Sequence, residues 1–120
     1  MTFTAPSLSI RCATTPLATT MTVRGEVDLA TAPQLRDQIL RHLNDRPELH
    51  LGLDGVTFMD STGLHVLLAS HRRASLLGSR LVLVSTSRAV RRLLELTGTA
   101  GLFAHQTETT HSVDAVADPV

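Results

Sequence analysis

The run Val56-Thr57-Phe58-Met59-Asp60-Ser61-Thr62-Gly63-Leu64 sets a hydroxyl, a carboxylate and a glycine where one backbone pattern gives way to another. Ser61 is the residue in it best suited to chemistry. A serine at the start of a helix normally accepts a hydrogen bond from the second or third helical N–H, which would make it a structural cap. The same position suits a covalent phosphate acceptor, because free N–H groups and the positive end of the helix dipole stabilise an anion. Both readings share one geometry. Asp60 beside it could orient the hydroxyl, cap the helix, or repel a phosphate on its neighbour.

Other chemistries fit poorly. A nucleophile elbow needs Gly-x-Ser-x-Gly; Gly63 matches the second glycine, but Met59 occupies the first, and nothing orders an acid and a histidine behind Ser61. The histidines His42, His50, His65, His71, His105 and His111 form no His-x-x-x-His or His-Glu pair on one helix face, so no metal site is expected and most should lie at the surface, His71 at the core edge. There is no Gly-x-Gly-x-x-Gly, no P-loop and no lysine, so neither a nucleotide cofactor nor a phosphate-accepting receiver aspartate at Asp54 or Asp60 is expected. No catalytic residue emerges.

The elements around Ser61 follow from hydrophobic period. Leu49, Leu51 and Leu53 alternate with His50, Gly52 and Asp54, predicting a strand over Glu48 to Leu53 with one buried face. Leu64, Leu67, Leu68 and His71 recur at helical spacing, predicting a helix from about Thr62 to Leu77, closed by Gly78 in the left-handed region. Upstream, Leu8, Ile10 and Cys12 mark a first strand after a loose lead, Met1 to Ser7. A second strand, Met21 to Val27, follows the Thr14-Thr15-Pro16 break as an antiparallel hairpin.

Asp28-Leu29-Ala30 reads as a loop and Thr31-Ala32-Pro33-Gln34 as a capping box opening a helix with the stripe Ala32, Leu35, Ile39, Leu43. Downstream, Arg80 to Ser85 is apolar on both faces and predicts an interior strand. Thr86 or Ser87 caps a third helix that Gly98 ends, Leu102-Phe103-Ala104 reads as a last strand, and Thr110 or Ser112 opens a final helix holding Val113 and Val116. The order predicts an α/β domain: a mostly parallel sheet of about five strands with about four packed helices, opening with a β-hairpin.

Composition narrows the partners. The 120 residues suit one domain spanning 1–120. Eleven arginines balance eleven acids, and tryptophan and tyrosine are absent, which argues against nucleic acid as the main ligand. The single cysteine, Cys12, excludes an internal disulfide and reads as a buried filler. No apolar run approaches a membrane span and no basic leader precedes an apolar segment, so membrane insertion is not expected and a cytoplasmic location is.

Asp60-Ser61-Thr62-Gly63-Leu64 after an apolar strand, with Gly25-Glu26-Val27-Asp28 some thirty positions earlier, resembles the STAS domain of anti-sigma factor antagonists, over a core of about Leu8 to Val116. The resemblance implies the STAS order of elements and a phosphoprotein that is substrate and ligand rather than enzyme. It implies Ser61 as the phosphorylation site, framed by Asp60, Thr62, Gly63 and Leu64, with Asp28 and Thr31 on the neighbouring contact loop. The implied partners are an anti-sigma factor serine kinase of the histidine-kinase-like ATPase fold and a metal-dependent serine phosphatase. Binding the kinase would free a sigma factor, and phosphorylation would end the binding. STAS modules also serve unphosphorylated, as scaffold subunits of phospholipid-transport or stress-sensing complexes, or as antagonist-like modules without a kinase. Whether the free chain forms a weak homodimer is left open.

Overall fold

The computed structural model describes residues 2–5 and 7–103. Five strands and three helices follow one another as β1 (Thr2–Ala5), β2 (Leu8–Thr14), β3 (Ala18–Val27), α1 (Ala32–His42), β4 (Glu48–Met59), α2 (Ser61–Leu76), β5 (Arg80–Thr86) and α3 (Arg88–Leu96). The sheet runs β1-β2-β3-β4-β5; the first three strands pair antiparallel, and β3–β4 and β4–β5 pair parallel. The parallel pairs are those joined through α1 and α2, as a helical crossover requires.

One face of the sheet builds the core. Leu49, Leu51 and Leu53 are fully buried beside Met21, Val23, Leu81 and Leu83, and the stripes Ala32, Leu35, Ile39, Leu43 and Leu64, Leu67, Ala74 cover them. Gly78 at φ 72° and Gly98 at φ 71° end α2 and α3. After each, the next N–H returns to a carbonyl of the helix, Ser79 to Ala74 at 2.9 Å and Thr99 to Leu94 at 2.9 Å. That closure leaves few orphan carbonyls.

β4 runs six residues past the point where its period-two pattern stops. Against β3, Thr22 pairs with Gly52 and Arg24 with Gly55, then Gly25 with Val56 and Glu26 with Phe58, so β4 carries one extra residue in each step. Each such bulge turns the side-chain alternation over once. Two of them let Leu53, Val56 and Met59, spaced by three, all face the core. The second bulge leaves the hydroxyl of Thr57 donating to the Gly25 carbonyl at 3.3 Å. Gly25 itself has φ 107°, and a Cβ there would lie 2.2 Å from the Ser7 carbonyl oxygen.

Several expectations are corrected. Residues Thr2–Ala5 form a strand on β2 rather than a loose lead, a segment too short for its alternation to register. β5 is apolar on both faces, with Val82 buried, yet among the described residues it lies at the sheet edge, paired only with β4. Leu102 and Phe103 belong to a helical turn, not a last strand. The Leu102 N–H bonds the Thr99 carbonyl at 3.0 Å, and Phe103 finds its cover against α2, ring edge to His71 at 5.4 Å. A three-residue apolar run does not separate the two conformations. The helix expected from Thr110 or Ser112 lies outside the described residues.

Two caps also differ. The Thr31 hydroxyl donates to the Glu26 carbonyl at 2.8 Å and accepts the Asp28 N–H at 3.0 Å, while Asp28 Oδ1 takes the Thr31 N–H at 3.1 Å, so no capping box forms with Gln34. At α2 the cap is Asp60, in extended conformation at φ −105°, and Ser61 is the first helical residue. Asp60 Oδ1 accepts the N–H groups of Thr62 at 2.9 Å and Gly63 at 3.3 Å. At α3 the cap is Ser87, whose Oγ accepts the Val90 N–H at 3.2 Å.

Asp60→Ala is therefore expected to lower the unfolding free energy in urea by about 1 kcal/mol, and Ser61→Ala to change it by less than about 0.5 kcal/mol. The reverse order of effects would show that Ser61 is the cap. Gly63→Ala, whose Cβ would stand 2.7 Å from Met59 Cγ and 2.8 Å from Val27 Cγ1, is expected to cost about 1–2 kcal/mol in the same assay.

Candidate functional site

The site lies at the carboxyl ends of the two central parallel strands. Val27 and Met59 are register partners, and the Asp60 N–H donates to the Val27 carbonyl at 3.2 Å. The loop after β3, beginning at Asp28, and the start of α2 at Asp60 therefore emerge side by side. In open α/β sheets this edge is where ligands approach, because the loops there are free to vary on a rigid base.

Asp28 and Thr31 organise the first of these loops. Asp28 Oδ1 takes the N–H groups of Ala30 at 3.0 Å and Thr31 at 3.1 Å. Thr31 is 6% exposed, its hydroxyl spent on the backbone at Glu26. The tight turn they make turns Leu29 outward, 77% exposed. Leu29 is a site residue that sequence reasoning passed over, since a loop leucine carries no period to show its direction.

At the start of α2 Ser61 is exposed, and among the described residues its hydroxyl has no hydrogen-bond partner. Thr62 is half-buried, while Gly63 and Leu64 are buried; Gly63 lets α2 pass against Met59 and Val27, and Leu64 anchors the first turn in the core. Phe58, just before the motif, is 48% exposed. The β4 bulges turn it outward, so the simple alternation ending at Leu53 could not have shown it. Between α1 and α2 runs a groove of about 250 Å³, walled by Leu29, Ala32, Thr62 and Val66 with Arg36 and His65 among its lining.

The chemistry open to Ser61 is that of an acceptor. The nearest carboxylate, Asp60, is engaged with two backbone N–H groups and makes no hydrogen bond to the serine. Nothing hydrogen-bonded to the hydroxyl among the described residues activates it, so an enzyme acting on it brings its own base. Among the described residues no group of three or more His, Cys, Asp or Glu side chains could hold a metal. The histidines are not all surface residues: His42 is buried, with Nδ1 2.9 Å from Asp45 Oδ2. Burial pushes the Cys12 thiol up, away from reactive thiolate. No helix of the described residues is long and apolar enough to cross a membrane.

Comparison with known proteins agrees with this architecture. The STAS domain model matches residues 9–115. The anti-sigma-B factor antagonist of Bacillus subtilis is 33% identical over 76 residues, covering 63% of this chain and 70% of the relative. The crystal structure of an anti-sigma factor antagonist from Mycobacterium paratuberculosis superposes with a TM-score of 0.72 at 31% identity, covering 84% of this chain and 87% of that one. SpoIIAA, solved in unphosphorylated and phosphorylated forms, superposes with TM-scores of 0.66 and 0.62 at 21% and 20% identity, over 78% of this chain and 84% and 87% of those chains, a likeness of fold. With the family model matching over nearly the whole chain and an antagonist structure superposing at 31% identity, the chain belongs to the STAS domain family.

Proposed function

We propose that this protein is an anti-sigma factor antagonist whose binding surface is the ridge formed by Leu29, Phe58 and the start of α2, and that phosphorylation of Ser61 switches it off. The observation that carries the reading is the Ser61 hydroxyl itself, exposed and, among the described residues, without a hydrogen-bond partner, next in sequence to Thr62, which lines a groove with the exposed Leu29. The resemblance in sequence to proteins named as antagonists supports it, as does the existence of a phosphorylated form of SpoIIAA.

In this reading the unmodified chain binds an anti-sigma factor that is a serine kinase of the histidine-kinase-like ATPase fold, in the cytoplasm, and frees a sigma factor. Leu29 and Phe58 supply apolar contact, the turn held by Asp28 and Thr31 sets the direction of Leu29, and Asp60, Thr62, Gly63 and Leu64 hold Ser61 at the helix start. The kinase transfers the γ-phosphoryl group of ATP: the bond to the ADP oxygen breaks, the bond to Ser61 Oγ forms, and the hydroxyl proton leaves to the kinase's base. A metal-dependent serine phosphatase reverses the change with water. The chain is a substrate and ligand throughout and needs no cofactor of its own.

The switch is local. A phosphoserine adds roughly −1.5 to −2 charges at neutral pH. It would stand beside the Asp60 carboxylate and on the same sheet end as Asp28, in a surface that must be desolvated for apolar contact. A hundredfold loss of affinity needs only about 2.8 kcal/mol, within the cost of burying one poorly paired charge.

The test is incubation with the cognate histidine-kinase-like ATPase and ATP, followed by intact-mass measurement and peptide mapping. One added phosphate, on Ser61 and absent from Ser61→Ala, is expected. In a binding assay Ser61→Ala should bind as the unmodified protein does, and Ser61→Asp about a hundredfold more weakly. Phosphate on another residue, or equal binding by both variants, would overturn the proposal and favour an unphosphorylated scaffold role.

A further inference from the structure

We propose that His65 and Arg36 form a phosphate-binding pair that takes up the charge on phosphorylated Ser61. The inference rests on the acceptor role proposed above and deepens it, because it assigns a receiving site to the modified state.

It begins with what Asp60 already does. Its Oδ1 holds the N–H groups of Thr62 and Gly63, the donors at a helix start that an anion on the first helical residue would otherwise use. A phosphate on Ser61 finds them occupied by a carboxylate one residue away. Two anions cannot share that end of the helix without mutual repulsion, so the phosphate turns outward to whatever cations stand there.

A histidine and an arginine stand there. His65 is four residues on from Ser61, and both are exposed; residues at that spacing lie one above the other on a helix, with Cβ atoms about 5–6 Å apart. Arg36 comes from α1 and lines the same groove as Thr62 and His65. Its side chain is 58% exposed and, among the described residues, makes a single ionic contact, to the adjacent Asp37 at 3.4 Å, a surface pair too weak to hold it. The next arginine along α2 is Arg72, eleven residues from Ser61 and so about 16 Å away along the helix.

The titratable and charged groups on the elements around Ser61 are thus Asp60 at its own helix start, Asp28 on the loop after β3, and Arg36 and Asp37 on α1, besides His65 itself. Asp60 and Asp28 are each held by backbone N–H groups, which fixes them in place as repelling neighbours. His65 and Arg36 remain to receive the charge, and they lie along the groove into which an apolar group of a partner would fit. Phosphorylation would then do two things: add charge to the contact ridge and draw both side chains across the groove.

The experiment uses the full chain with phosphoserine encoded at position 61, independent of any kinase, and follows the phosphate by ³¹P NMR through a pH titration. The second phosphate ionisation is expected about 0.4 pH unit lower in the parent than in His65→Gln, roughly a 2.5-fold change in the ionisation constant. Arg36→Gln should move it in the same direction and Arg72→Gln should leave it in place. Equal midpoints in parent, His65→Gln and Arg36→Gln, or an equal shift in Arg72→Gln, would overturn the proposal. Binding of the phosphorylated and unmodified chains to the kinase, measured separately, decides the switch itself: equal binding there sinks the switch without touching the phosphate contact, and a failed titration leaves the switch standing.

Discussion

Asp60 ties the sheet to its central helix. Its backbone N–H bonds the end of β3 at Val27, its backbone follows the last residue of β4, and its carboxylate caps α2 through Thr62 and Gly63. One residue thereby sets the angle at which α2 leaves the sheet, and that angle decides that the next side chain, Ser61, points to solvent. A hydroxyl used as a cap would have been turned inward on the helix N–H groups and less open to another protein's active site. Division of labour between neighbours, one capping and one free, leaves the Ser61 hydroxyl outside the hydrogen bonds that cap the helix.

The rest of the site depends on the same junction. Gly63 allows the close approach of α2 to Met59 and Val27, and Leu64 locks its first turn into the core. The two bulges of β4 keep Val56 and Met59 facing inward while Thr57 and Phe58 go outward, so that apolar surface appears at the edge of the motif rather than beneath it. On the neighbouring loop Asp28 Oδ1 and the Thr31 hydroxyl bond local backbone and make the turn from which Leu29 projects outward. Polar residues that resemble contact groups in the sequence act here as scaffolding for apolar ones. Leu29 and Phe58 are thus left exposed at this end of the sheet, apolar surface of the kind that a partner would cover in the proposed function.

Electrostatics complete the arrangement. Asp28 and Asp60 are already bound to N–H donors, so a phosphate added beside them meets carboxylates that cannot move away and helix donors that are no longer free. The added charge is felt at the surface, where partners meet, more than in the core. In this view the antagonist needs no large conformational change to lose its partner.

Much of this was legible in the chain because period is a direct consequence of which face is buried. Leu49, Leu51 and Leu53, the stripes of α1 and α2, and the glycines after α2 and α3 all declare their structure through spacing that only one backbone geometry satisfies. The Asp-Ser-Thr-Gly motif, at the change from period two to period three and four, marked the junction of β4 and α2. What the sequence left open was every feature set by contacts between segments distant in the chain. Whether Asp60 or Ser61 caps α2 depends on how β3 holds Asp60; whether Thr31 forms a capping box depends on the Glu26 carbonyl that takes its proton. Whether Leu102 and Phe103 make a strand depends on the cover that α2 offers Phe103. The outward turn of Leu29 and Phe58, and the meeting of Arg36 with His65 across a groove, exist only once the helices and bulged strand are packed, because local spacing specifies a face and tertiary packing specifies what that face meets.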